Sequence, residues 1–292
     1  MWHVVLLGLT AAIVYGISDY LGGWAARSRP SSQVSAVAFA AGLPVAAVAV
    51  PVIGAGWSVR VLGFGVLAGV AAAVSIWLLY ACLAIGPVSV LAPLAGVLAS
   101  VVPVVFGLVA GHEHLGLPGT VALGVVIASA AALSVGPERA AVRLTPLALG
   151  LGVAAGMATG AYLVALAALA ATPATSGAAP VVVIFATGTV LLGGAAGTTS
   201  PVRSLALDPG HRTDGRAVRA AAVTSGASQA VADVLAVVGI HAGHLAVMAA
   251  LVALYPFGTM ALAVILAGER PRRHQLAAAA VALAASTVLA VT

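Results

Sequence analysis

Residues 61–110 read VLGFGVLAGVAAAVSIWLLYACLAIGPVSVLAPLAGVLASVVPVVFGLVA, and no charged side chain interrupts them. A helix needs about 20 apolar residues to cross the hydrocarbon core of a bilayer. The stretch therefore holds two spans, and Gly86-Pro87 is the turn between them. Its apolar residues run continuously instead of alternating with period two, which excludes a membrane barrel. In lipid every backbone N–H must find a partner inside the protein, and helices then remain as the only spanning structure.

Outward from this stretch the same texture repeats. Apolar segments cover residues 3–24, 34–55, 61–85, 88–110, 118–136, 146–169, 179–197, 218–240, 244–267 and 275–291. Turn-forming clusters separate them at Arg27-Ser28-Arg29-Pro30, Gly54-Ala55-Gly56, Gly86-Pro87, Gly136-Pro137-Glu138-Arg139 and the longer polar stretch Thr198–Arg216. Hydrophobic residues make up 62% of the chain and charged residues 7%. A water-soluble domain carries about 25% charged residues. The expected fold is an all-α membrane protein of ten transmembrane helices in the cell membrane (plasma or inner).

The formal net charge is +5, and all twelve basic residues are arginine. In a soluble chain that balance would raise the question of nucleic acid. Here the arginines sit in short loops, where they meet anionic headgroups and set orientation, so membrane lipids and not nucleic acid are the expected partners. Loops after spans one, five, seven and nine hold eleven of them, and the other face holds only Arg60. The positive-inside rule then puts the Arg-rich loops in the cytoplasm and both termini outside. Trp2, Trp24 and Trp57, near span ends, read as interfacial anchors. The first span has no basic leader and no clear cleavage site, which reads as a retained helix. Cys82 is the only cysteine, so no internal disulfide forms.

The chain divides near residue 140 into two similar halves, 1–140 and 141–292. Gly86-Pro87-Val88-Ser89-Val90 opens the fourth span and Gly243-His244-Leu245-Ala246-Val247 the ninth. Gly111-His112-Glu113 follows the one and Gly268-Glu269-Arg270 the other. Tyr15-Gly16 in the first span is matched by Thr159-Gly160 in the sixth. Five helices per repeat is an odd number, so the halves are expected to run in opposite directions, as inverted repeats do in secondary transporters.

These motifs resemble the drug/metabolite transporter superfamily, in its ten-helix EamA-type form. The carrying residues are Ala84-Ile85-Gly86-Pro87-Val88-Ser89-Val90-Leu91-Ala92-Pro93-Leu94, Leu254-Tyr255-Pro256 with Thr259, and Leu266-Ala267-Gly268-Glu269-Arg270, with Tyr15-Gly16 resembling the usual aromatic-Gly pair. His112 departs from the pattern by interrupting the first Gly-Glu. The orientation read from the arginines also departs from it, since termini inside are usual there. The resemblance implies a permease, most simply an exporter of a small metabolite or drug-like compound, that works by alternating access, as a monomer or homodimer. Spans one, three, four, six, eight and nine would line its pocket. A lipid-linked sugar flippase is an alternative within transport. An intramembrane enzyme is the alternative outside it.

Ionisable groups inside spans are costly and mark function by default. Asp233 has Gln229 and Ser225 at successive i−4 positions, which puts three polar groups on one helix face. The stripe is either a pocket wall for a polar or cationic substrate, or for a coupling proton, or a hydrogen-bonded clamp between helices. Asp19, close to Ser18 near the end of the first span, either lines the mouth of the same cavity or pairs with Arg27 or Arg29 or with a neighbouring helix. The two acids are expected at different depths. The deep aromatics Tyr15, Trp77, Tyr80, Tyr162 and Tyr255 would stack on or hydrogen-bond to substrate, or simply pack. Pro93, Pro103 and Pro256 are candidate kinks for gating. His112-x-His114 and His241-x-x-His244 lack a completed ligand set, so no metal is expected. No Walker sequence, nucleophile elbow or His-Glu-x-x-His is present, and no cofactor or enzymatic chemistry is expected.

Overall fold

The computed structural model describes all residues except 1, 111–115, 135–143, 171–176, 197–213, 242–250, 253, 270, 272 and 292. Among the described residues it is all-helical. The helices are α1 Trp2–Ala26, α2 Ser31–Ile53, α3 Val59–Ile85, α4 Val88–Ala110, α5 Leu117–Ser134, α6 Pro146–Ala170, α7 Ala179–Ala196, α8 Gly215–His241, α9 Tyr255–Leu266 and α10 Arg273–Val291. Five of them, α1, α2, α3, α6 and α8, are long and apolar enough by length and composition to cross a membrane. Large apolar side chains point outward along them, for example Val48 at 67%, Val52 at 75%, Val190 at 75% and Ile265 at 74% exposure. Such a surface is unfavourable in water and suits lipid. The chain is a membrane protein.

Local chemistry sets the helix ends. The Ser58 hydroxyl accepts the Val61 N–H at 3.1 Å, and the Thr145 hydroxyl accepts that of Ala148 at 3.1 Å. At the start of α8 the Asp214 carboxylate accepts the Arg216 N–H at 3.0 Å. Each is a side-chain oxygen taking one of the amides that the first helical turn leaves unpaired. α2 stops at Gly54, whose φ of 78° lies in the left-handed region that glycine enters without cost. α3 stops before Pro87, which bars its predecessor from helical geometry.

The predicted spans and the helices agree closely except at the ninth. There residues 244–250 and 253 of the expected run 244–267 lie outside the described ones; the rest is helical at Leu251 and Val252, turns at Leu254, and continues as α9 from Tyr255. Pro256 therefore occupies the first turn of α9 and not a helix interior. At that position its missing N–H costs α9 no helical hydrogen bond, and the interruption of the run falls directly before it. Pro93 and Pro103 do lie inside α4, and α2 carries two further internal prolines, Pro44 and Pro51.

Helices of the two halves interleave. α1 packs on α8 and α3 on α6; α1 packs on α9 and α6 on α4; α2 packs on α8 and α3 on α7. One apolar core centres on Phe39, Tyr80 and Phe185, and a second on Leu83, Leu91, Leu94 and Val97. Gly16 and Gly160, noted in the sequence as counterparts, do the same work. A Cβ on Gly16 would stand 2.8 Å from the Gly258 backbone of α9, and one on Gly160 would stand 2.9 Å from the Ala99 carbonyl of α4. Each glycine lets its helix lie directly on the next, as small residues do in membrane bundles.

Candidate functional site

The site begins with the antiparallel pair α1 and α8. Tyr15 lies opposite Asp233, and Ser18 lies opposite Gln229 and Ser225, so numbers rise along one helix as they fall along the other. The i−4 stripe read in the sequence therefore faces α1. At one end the contact is dry and reciprocal. Ser18 Oγ donates to the Ser225 carbonyl at 2.8 Å, and Ser225 Oγ donates to the Ser18 carbonyl at 2.8 Å. A hydroxyl has one proton. With the Ser225 proton used, the Tyr80 hydroxyl of α3, 2.6 Å away, must be the donor to Ser225 Oγ. Ser18 Oγ also lies 3.0 Å from Gln229 Oε1, so its proton is shared between two acceptors. Ser18 and Ser225 are both fully buried. This part of the stripe is the helix clamp.

At the other end the chemistry differs. Asp233, on α8, is 7% exposed. Its Oδ1 accepts the Tyr15 hydroxyl of α1 at 2.5 Å and the Tyr162 hydroxyl of α6 at 3.5 Å. Among the described residues nothing bonds to its second oxygen, and no arginine pairs with it. The Tyr15 ring meets Tyr255 of α9 edge-on, with centroids 6.1 Å apart. A carboxyl at the meeting of three helices, ringed by phenols and holding one oxygen in reserve, has the parts needed to receive a cation or a proton.

Asp19 is 4% exposed and has no hydrogen bond or ion pair among the described residues. The expected pairing with Arg27 or Arg29 does not occur. Arg27 lies eight residues further along α1, about 12 Å at 1.5 Å per residue, and its guanidinium turns to Glu269 at 3.7 Å. Trp77 stays outside the hydrogen-bonded group and packs, half-buried, on the same apolar core as Tyr162. Glu113, His112, His114 and His244 lie outside the described residues.

Two features had no local signal in the sequence. Ser75 of α3 and Thr159 of α6 form a second interhelical contact, hydroxyl to hydroxyl at 2.5 Å. Glu269, after α9, accepts the Val88 N–H at 3.0 Å through Oε1 and the Ser89 N–H at 2.8 Å through Oε2. One carboxylate from the second half thus caps α4 of the first, where its charge also meets the positive end of the helix dipole. No protein-family model matches the chain, and no curated protein is significantly similar to it.

Proposed function

We propose that the protein is a secondary transporter of ten spans in two inverted five-helix repeats, moving a small metabolite or drug-like compound by alternating access, with Asp233 as the group that binds substrate or a coupling proton. The observation that carries this reading is a buried carboxyl where α1, α6 and α8 meet, whose second oxygen has no partner among the described residues. Export is the direction that the sequence resemblance favours, and the Arg-rich loops then lie in the cytoplasm of a cell membrane.

Two patterns support the architecture. Loops after odd-numbered helices gather together: Glu269 reaches Arg27 and the Val88–Ser89 turn, and Arg29 lies against Gly215. Loops after even-numbered helices meet elsewhere, where Ala55 bridges Gly177 and the Ala178 N–H donates to the Gly54 carbonyl at 2.9 Å. Helices that cross alternately produce that sorting. Three pairings between the halves also map onto three others when each helix of the first five is exchanged for its counterpart in the second: α1 on α8 becomes α6 on α3, α1 on α9 becomes α6 on α4, and α2 on α8 becomes α7 on α3. A two-fold axis in the membrane plane has that effect.

Topology is checked with single cysteines in a Cys82→Ser background. Cysteine at Trp57 should react with an impermeant maleimide added to intact cells, whereas cysteine at Asp214 should react only after permeabilisation. Labelling of both from outside rules out alternate crossing. Transport is checked first by binding. A panel of lipophilic cations, amino acids and nucleosides is screened by thermal shift in detergent. A ligand at a hundredfold its Kd stabilises the folded state by about 2.7 kcal/mol. The hit should lose its effect in Asp233→Asn and should move across the membrane of proteoliposomes containing the wild type. A hit that binds but is never translocated argues against the proposal.

A further inference from the structure

We propose that the cleft at the common start of α2 and α8 is a seat for the phosphate of an anionic membrane lipid. The cleft encloses about 470 Å³. Arg29, Gln33 and Arg219 form its polar rim, and Val34, Val37 and Val218 line its apolar floor. Arg29 ends the loop before α2, and Arg219 stands in the second turn of α8, so the two guanidinium groups come from separate helices to one rim. Both arginines are exposed, and neither has an ion-pair partner among the described residues. The nearby Asp214 carboxylate is engaged with the Arg216 N–H.

Guanidinium groups recognise phosphate oxygens through paired N–H donors. The Gln33 amide can add a further donor. A free phosphate ion would use this rim and leave the floor empty of partners. A phospholipid uses both, because its ester phosphate is joined to an apolar glycerol ester body. The position fits as well. The rim stands where two apolar spans begin, at headgroup depth, and Val37, 37% exposed, leads from the floor onto the outer face of α2. The site lies apart from Asp233 and does not depend on the transport reading.

The experiment is native mass spectrometry of the purified protein released from detergent after titration with phosphatidylglycerol or phosphatidylcholine, with inorganic phosphate as a separate probe. Wild type should hold one phosphatidylglycerol in preference to phosphatidylcholine. Arg29→Gln/Arg219→Gln should weaken that binding about thirtyfold, since each arginine near an anionic surface strengthens binding about fivefold. Arg60→Gln, at the start of α3, should leave it unchanged. Val37→Trp fills the floor and leaves the rim intact, so it should exclude lipid even if the double variant proves hard to purify. Phosphatidylglycerol retention by the double variant equal to wild type overturns the proposal. So does inorganic phosphate binding with no preference between the two lipids, which would make the rim a site for the free ion.

Discussion

Asp233→Asn is expected to give a protein that folds, inserts and melts close to wild type, yet transports at least about tenfold more slowly, a loss worth roughly 1.4 kcal/mol. The substitution keeps an acceptor oxygen for Tyr15 and Tyr162, the two hydroxyls that join α1 and α6 to α8 at this point. What it removes is the negative charge and the capacity to exchange a proton. Tyr15→Phe makes the complementary change: the carboxyl stays, with Tyr162 as its remaining donor, and substrate affinity should shift while charge-dependent coupling survives. The measurements are flux in proteoliposomes across a range of pH and thermal unfolding in detergent. Normal flux with unchanged pH dependence in Asp233→Asn would make the residue a structural clamp like Ser225, and the proton-coupling idea would lose its best group.

Glu269→Ala is expected to lower the thermal midpoint by about 5 °C or more, from a loss of roughly 2–4 kcal/mol. The carboxylate holds two amides, Val88 and Ser89, that are 1% and 3% exposed as residues. Once it is gone neither has another acceptor among the described residues, and buried donors left unpaired cost about 1–3 kcal/mol each. Glu269→Gln retains one acceptor oxygen but turns an NH₂ toward the second amide, so it should fall between wild type and alanine. Arg27→Gln should cost much less, because a partly exposed ion pair at 3.7 Å, too long for a hydrogen bond, contributes little. Equal midpoints for alanine and wild type would show that α4 finds another cap. In the proposed transport cycle, opening this face requires the Glu269 contact to break, so Glu269→Gln should also alter the rate of flux.

Most of the helix plan was legible because its causes are local. Continuous apolar runs and the turn residues between them place the described helices within a few residues, except at the start of α9. The break before α9 is not legible because Pro256 reads as an internal proline when only the apolar run is followed. Its position in a first turn depends on where Leu254 breaks the chain. The Ser225, Gln229 and Asp233 stripe was legible from i−4 spacing, but its partners were not. Tyr15 lies 218 residues away and Tyr162 71, and nothing in the intervening sequence encodes those meetings. Glu269 is visible in the sequence only as part of Gly268-Glu269-Arg270. A helix normally finds its capping group within three residues, so a cap delivered to Val88 and Ser89 from some 180 residues away leaves no motif to find.

The ring of Phe39 on α2 covers Gly188 on α7, the ring of Phe185 on α7 covers Gly42 on α2, and the two rings meet with centroids 5.3 Å apart. The spacing from ring to glycine is three residues on both helices. A contact in which i touches j and the counterpart of j touches the counterpart of i is the signature of an isologous interface, the kind two identical subunits make about a dyad. A single chain thus contains a surface of the form that joins a homodimer. In the repeat proposed above the two halves are free to diverge as identical subunits are not, so α8 carries Asp233 opposite Tyr15 while α3 carries Ser75 opposite Thr159. Asymmetry at the site and symmetry in the frame that carries it can then coexist in one polypeptide.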